Sequence, residues 1–96
     1  MSDEQSQKRA VHAIIKGRVQ GVSFRYYTLL RANELHVLGW VRNLPDGTVE
    51  VVAEGSQTQL EQLITFLNAG PIGARVAGVN VNWQSATGQF TDFSIR

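Results

Sequence analysis

The stretch Ala10-Val-His-Ala-Ile-Ile-Lys-Gly-Arg-Val-Gln-Gly-Val-Ser-Phe-Arg25 carries the change of local character on which the fold turns. Ala10 to Lys16 is apolar, rich in β-branched residues and bounded by Gly17, which predicts a strand buried on at least one face. Gly17 and Gly21 open backbone conformations that other residues resist, so residues 17–23 are expected to leave that strand as a shaped loop. From Phe24 to Leu35 there is neither Gly nor Pro. Phe24, Thr28, Ala32 and Leu35 fall on one helical stripe, with Tyr27 beside it and Leu29 and Leu30 widening it, which predicts a helix with Arg25 in its first turn.

Outward from this unit, Leu38 to Asn43 reads as a second strand and Thr48 to Glu54 as a third, joined by the turn Leu44-Pro-Asp-Gly47. The third strand sets Val49, Val51 and Ala53 on one face and Thr48, Glu50 and Glu54 on the other, so one face of the sheet is expected to be covered and the other largely wet. Ser56-Gln-Thr-Gln59 matches a capping box, and Leu60, Leu63, Ile64 and Leu67 follow at helical spacing until Gly70-Pro71 stops the helix. Ala74 to Trp83 alternates around Val76, Val79, Val81 and Trp83 as a fourth strand, and Thr91 to Ile95 adds a short fifth. The element order predicts the α+β, ferredoxin-like βαββαβ sandwich, with two helices on one face of a four- or five-stranded antiparallel sheet.

Length and composition narrow the chemistry. The 96 residues allow one domain, and 43% hydrophobic with 18% charged residues excludes disordered, collagenous and membrane classes. No cysteine is present, which removes disulfides, thiol nucleophiles and thiolate metal sites. A net charge of +1 is too small for nucleic-acid binding by bulk electrostatics. The central strands, Val-His-Ala-Ile-Ile and Val-Glu-Val-Val-Ala, carry no aromatic platform for RNA bases. His12 and His36 lie on different elements and do not make a metal site, while Glu50 and Glu54 read as a solvated sheet face. Residues Met1 to Arg9 are polar and resemble neither a signal peptide nor a membrane anchor; they are expected to form a disordered tail before a single domain at 10–96 in a cytoplasmic protein.

The candidate site is the loop made by Gly17, Arg18, Val19, Gln20, Gly21, Val22, Ser23, Phe24 and Arg25. A glycine-bearing loop that enters a helix N-terminus can converge its N–H groups on an anion, and the helix start adds partial positive charge. A phosphate fits such a cradle, and Arg25 is otherwise misplaced at that end of a helix. The alternative is a surface loop with a stray arginine. Val41 should face the helices, and Asn43, two residues on, must point the same way. A plainer role for Asn43 is to start the turn before Pro45.

The loop motif Gly17 to Arg25, followed by Gly39-Trp-Val-Arg-Asn43 and Asp46-Gly-Thr-Val-Glu50, resembles the acylphosphatase family. The resemblance extends to Gly70-Pro71, Ala74-Arg-Val76 and Phe93-Ser-Ile-Arg96, covering essentially everything after the polar tail. It implies a cofactor-free, metal-independent enzyme that hydrolyses acyl phosphates to a carboxylate and inorganic phosphate, the phosphate also acting as competitor. Arg25 then matches the family's phosphate-binding arginine and Asn43 its water-positioning asparagine. A small-molecule substrate, no nucleic-acid or membrane partner and a monomeric state follow as expectations. The competing reading is a non-catalytic phosphate-binding regulatory module of the same fold. Two positions depart from the family pattern: Ser23, where many members carry glycine, and His36, where glycine usually follows the first helix. Ser23 narrows the loop's backbone freedom, and His36 implies a strained or differently shaped helix end that bears on stability rather than on chemistry.

Overall fold

A computed structural model describes residues 7–96; residues 1–6, and with them most of the expected tail, lie outside the described residues. The elements follow in the order β1 (Arg9–Arg18), α1 (Phe24–Leu35), β2 (Leu38–Asn43), β3 (Val49–Gly55), α2 (Gln57–Ala69), β4 (Arg75–Ser85) and β5 (Phe93–Ile95). β1 begins at Arg9, which the sequence reading assigned to the tail, and runs to Arg18, so Gly17 and Arg18 belong to the strand and the connecting loop is shorter than expected.

The sheet order is β4-β1-β3-β2-β5. β1 pairs antiparallel with β3 and β4, and β2 antiparallel with β3. Ala13 lies beside Val51, and Val51 beside Val41, so the apolar alternate residues of three strands form one continuous face. Both helices cover that face. α1 buries Phe24, Thr28, Ala32 and Leu35, and α2 buries Leu60, Leu63 and Leu67. α2 starts as its pattern predicts: Ser56 Oγ accepts from the Gln59 N–H and Gln59 Oε1 accepts from the Ser56 N–H, closing a capping box.

Four expectations need correction. β5 runs parallel to β2, so the five-stranded sheet is mixed rather than wholly antiparallel. A strand that returns from β4 across the molecule to the far edge has its direction set by that connection, not by its own residues. Tyr27 and Leu30 are exposed, because the buried stripe of α1 is narrower than the apolar pattern. Glu54 lies on the open face but is only 6% exposed, since the segment after β4 folds over it: its carboxylate accepts from the N–H and hydroxyl of Thr87 and from the N–H of Gly88. Glu50 is also engaged rather than simply solvated, contacting His12 on β1 at 2.7 Å and accepting from Arg42 Nε on β2. Burial opposes ionisation of Glu54, but its three hydrogen bonds outweigh it and hold the carboxyl below its ordinary range. Glu50 is held below its ordinary range chiefly by the His12 hydrogen bond, with Arg42 assisting.

Candidate active site

The site begins at a break in the β1–β4 register. Lys16 lies opposite Gly78 and Gly17 opposite Val76, leaving Ala77 as an extra residue on β4. This bulge explains why the apolar rhythm of β4 skips from Val76 to Val79. Gly17 has φ +124°, and a Cβ there would stand 2.1 Å from the Arg75 carbonyl oxygen. Only glycine fits.

Past the bulge, Val19 is buried and anchors the loop in the core. Gly21 (φ 75°) and Ser23 (φ 61°) are left-handed, whereas Val22 between them is not. Alternating handedness of this kind turns successive N–H groups toward one concave point. Ser23 is the N-cap of α1, yet its left-handed backbone keeps its hydroxyl from making the usual cap hydrogen bond. The first-turn N–H groups of α1 therefore have no side-chain cap, and no acidic residue occupies that turn. Arg25 stands in this positive end of the helix. The ion pairs among the described residues are His12–Glu50, Arg31–Glu34 and Arg42–Glu50, and Arg25 belongs to none of them.

Gln20 joins this loop to the β2–β3 hairpin, its side-chain Nε2 donating to the Leu44 carbonyl at 2.8 Å and to the Thr48 carbonyl at 2.9 Å. The hairpin turn is closed by Asp46, whose Oδ1 accepts from the N–H and hydroxyl of Thr48; the hydroxyl and then the N–H are the main causes that lower its pKa. Asp46, not Asn43, thus supplies the turn's side-chain bonds. Asn43 ends β2 with its Oδ1 buried and without a hydrogen-bond partner among the described residues. A buried amide oxygen left unpaired is costly, and a fold tolerates one chiefly where catalysis or a bound water or ion makes use of it.

A cavity of about 420 Å³ opens between these elements, lined by Val19, Gly21, Ser23, Phe24, Arg25, Tyr26, Asn43 and Ile95. Arg25 and Asn43, 18 positions apart in sequence, are thereby brought to one space. Of the nine predicted loop residues, Gly17, Arg18, Gln20 and Val22 are not among the lining: two continue β1, Gln20 turns to the hairpin, and Val22 packs against the core. Sequence reasoning missed Tyr26 and Ile95. Tyr26 follows Arg25 directly, which was a usable signal; Ile95 reaches the site only through the parallel pairing of β5 with β2.

The family model for acylphosphatase matches residues 11–95. The chain belongs to the acylphosphatase family. An acylphosphatase of Chloroflexus aurantiacus is 51% identical over 84 residues, spanning 88% of this chain and 91% of that protein. One from Methylococcus capsulatus is 46% identical over 87 residues, covering 91% and 95% respectively. Among solved structures, the acylphosphatase from Coxiella burnetii superimposes with a TM-score of 0.89 at 35% identity, covering all of both chains. Within this acylphosphatase fold, the two departures have the same physical form. Ser23 and His36, with φ values of 61° and 60°, are the two non-glycine residues with positive φ among those described. His36 ends α1 in the left-handed turn a glycine would make, with Val37 N–H donating to the Ala32 carbonyl and His36 N–H to that of Asn33. The helix end is strained, but its shape is the ordinary one. No helix among the described residues is long and apolar enough to cross a membrane.

Proposed function

We propose that the cavity hydrolyses acyl phosphates, with Arg25 and the loop N–H groups holding the phosphoryl group and Asn43 orienting the attacking water. The observation that carries this reading is the convergence on one cavity of a cation, uncapped helix-start donors and a buried amide oxygen that has no partner among the described residues. Phosphoryl transfer needs positioning and charge stabilisation more than covalent help from the protein. The guanidinium and N–H groups stabilise charge on the equatorial oxygens, while the Asn43 carbonyl accepts a hydrogen bond from water placed in line with the leaving oxygen. The new P–O bond forms as the bond from phosphorus to the acyl oxygen breaks. The carboxylate leaves with that electron pair, and the water's hydrogens pass to the phosphate. A carboxylate is a stable leaving group, so no strong acid is required. The reading includes a monomeric, cytoplasmic enzyme, and gel filtration tests the first point.

The test is release of phosphate from benzoyl and acetyl phosphate by purified protein in excess EDTA. Full turnover, with inorganic phosphate competing, is expected. Phosphate binding without turnover would favour a regulatory anion-binding module instead, and activity restored only by a divalent ion would overturn the metal-independent mechanism.

A further inference from the structure

Asp46-Gly47, in the turn of the hairpin that carries Asn43, is the one place in the sequence where an aspartate or asparagine precedes glycine; Asp3 and Asp92 are followed by Glu and Phe. Both residues of the pair are exposed. In such a pair the backbone nitrogen of the glycine can attack the aspartate side-chain carbonyl carbon, because no Cβ on the glycine obstructs the closing ring. Nothing stands within 4 Å of where a Gly47 Cβ would lie, so neighbouring groups do not screen this step either. What restrains the pair is Thr48. Asp46 Oδ1 accepts from the Thr48 hydroxyl at 2.6 Å and from its N–H at 3.0 Å, while the Gly47 N–H donates to the Leu44 carbonyl at 3.1 Å. Electrophile and nucleophile are each engaged elsewhere. The two bonds from Thr48, the hydroxyl first, also hold the Asp46 carboxyl below its ordinary range, and an ionised carboxylate does not readily give up an oxygen.

We infer that Asp46 is a site of spontaneous isoaspartate formation and that the Thr48 hydroxyl sets its rate. The Gly47 nitrogen bonds to Cγ of Asp46 and loses its proton as a carboxyl oxygen departs, so water leaves and a succinimide ring forms. Water then adds at the main-chain carbonyl carbon of Asp46 and breaks its bond to the Gly47 nitrogen, which regains a proton. The chain now runs through Cβ and Cγ, with an extra backbone carbon and no net change in mass. The turn that must absorb this carbon is closed by the Leu44 N–H donating to the Thr48 carbonyl at 2.9 Å. Gln20 Nε2 donates to the carbonyls of those same two residues. Lengthening the turn therefore loosens the hold of Gln20 and displaces Asn43 at the end of β2.

The test ages native protein, Thr48→Val, Thr48→Ser and Asp46→Glu at neutral pH below their thermal midpoints, beside native protein unfolded in guanidinium chloride. Isoaspartate is located by peptide mass spectrometry and counted with an isoaspartyl methyltransferase, and benzoyl phosphate turnover is read against each sample's own starting rate. Thr48→Val should form isoaspartate at residue 46 about fivefold faster than native protein, the factor to which loss of one hydrogen bond corresponds. Thr48→Ser should match the native rate, and the unfolded sample should exceed it. Asp46→Glu, whose longer side chain closes a ring only slowly, should form none there. Turnover should fall in step with isoaspartate, with phosphate competition less affected. Equal rates in native, Thr48→Val and unfolded protein, or isoaspartate arising elsewhere instead of at residue 46, would overturn the inference. Aged protein that carries isoaspartate at residue 46 yet keeps full turnover would overturn its link to Gln20 and Asn43. Fresh native protein without turnover would fail the acyl phosphate reading alone, since the isoaspartate count does not depend on it.

Discussion

In the first turn of α1, Arg25 faces the positive end of the helix without an ion-pair partner among the described residues, an arrangement that an anion in the cavity relieves. Arg25→Ala should therefore lose phosphate competition together with turnover, the latter by about 10³- to 10⁵-fold. Arg25→Lys should restore little, since a point charge does not reproduce a planar fork. Asn43→Ala should separate the two effects. A fall in kcat of about 10²- to 10³-fold with an unchanged inhibition constant for phosphate is expected for a residue that orients water. Normal kcat in a destabilised Asn43→Ala protein would instead mark a structural residue. Strain at Ser23 and His36 gives a further expectation. Replacing His36 by Gly removes a left-handed non-glycine residue and should raise stability by about 0.5–1 kcal/mol, after allowing for the entropy glycine adds to the unfolded chain. Because His36 stands at the far end of α1 from the loop, its kcat should be unaltered. Ser23→Gly should stabilise similarly, and comparing the kcat of the two variants shows whether the stiffness of Ser23 serves the loop.

Between elements, the Gln20 side chain is the tie that fixes the loop after β1 against the hairpin that carries Asn43. Gln20→Ala should lower kcat about tenfold or more, as small misplacements of reacting groups do, with a lesser effect on phosphate competition. A variant with lowered thermal midpoint but native kcat would show the tie to be structural only. What the sequence discloses at this scale follows from how local each signal is. α1 and β2 have the bounds expected of them, Phe24–Leu35 and Leu38–Asn43, because left-handed turns and a Pro-Asp-Gly turn punctuate them on the spot. The bulge at Gly17 was visible only as a slipped apolar rhythm in β4, more than 50 positions away. The direction of β5, the cover over Glu54 and the place of Ile95 all depend on what the connection after β4 does. Loop and hairpin motifs were each legible; that Gln20 links them was not, since a glutamine alone does not name its acceptors.

For the molecule as a whole, Glu50 ties β3 to β1 and β2, and Glu54 ties it to the segment at Thr87–Gly88. Both carboxyls titrate lower in the folded state than in the unfolded one, so the unfolded chain binds more protons on acidification. Their stabilisation is complete above the ordinary glutamate value of about 4.3 and is lost as the pH falls through the folded values. Denaturant midpoints should thus drop below about pH 4, and the acid-side slope should be shallower in Glu54→Gln, which no longer titrates there. An unchanged slope in that variant would remove Glu54 from the acid response. The strand order has a consequence in time as well. β1 is an interior strand, one in from the edge, and its neighbour on the edge side is β4, whose Ser85 pairs with Arg9. At about 5–20 residues per second, a ribosome takes roughly 4 to 15 s to add the residues separating those two partners. Throughout that interval β1 waits with at least one edge unmatched, and with both until β3 has been made, exposed to neighbouring nascent chains or open to a chaperone.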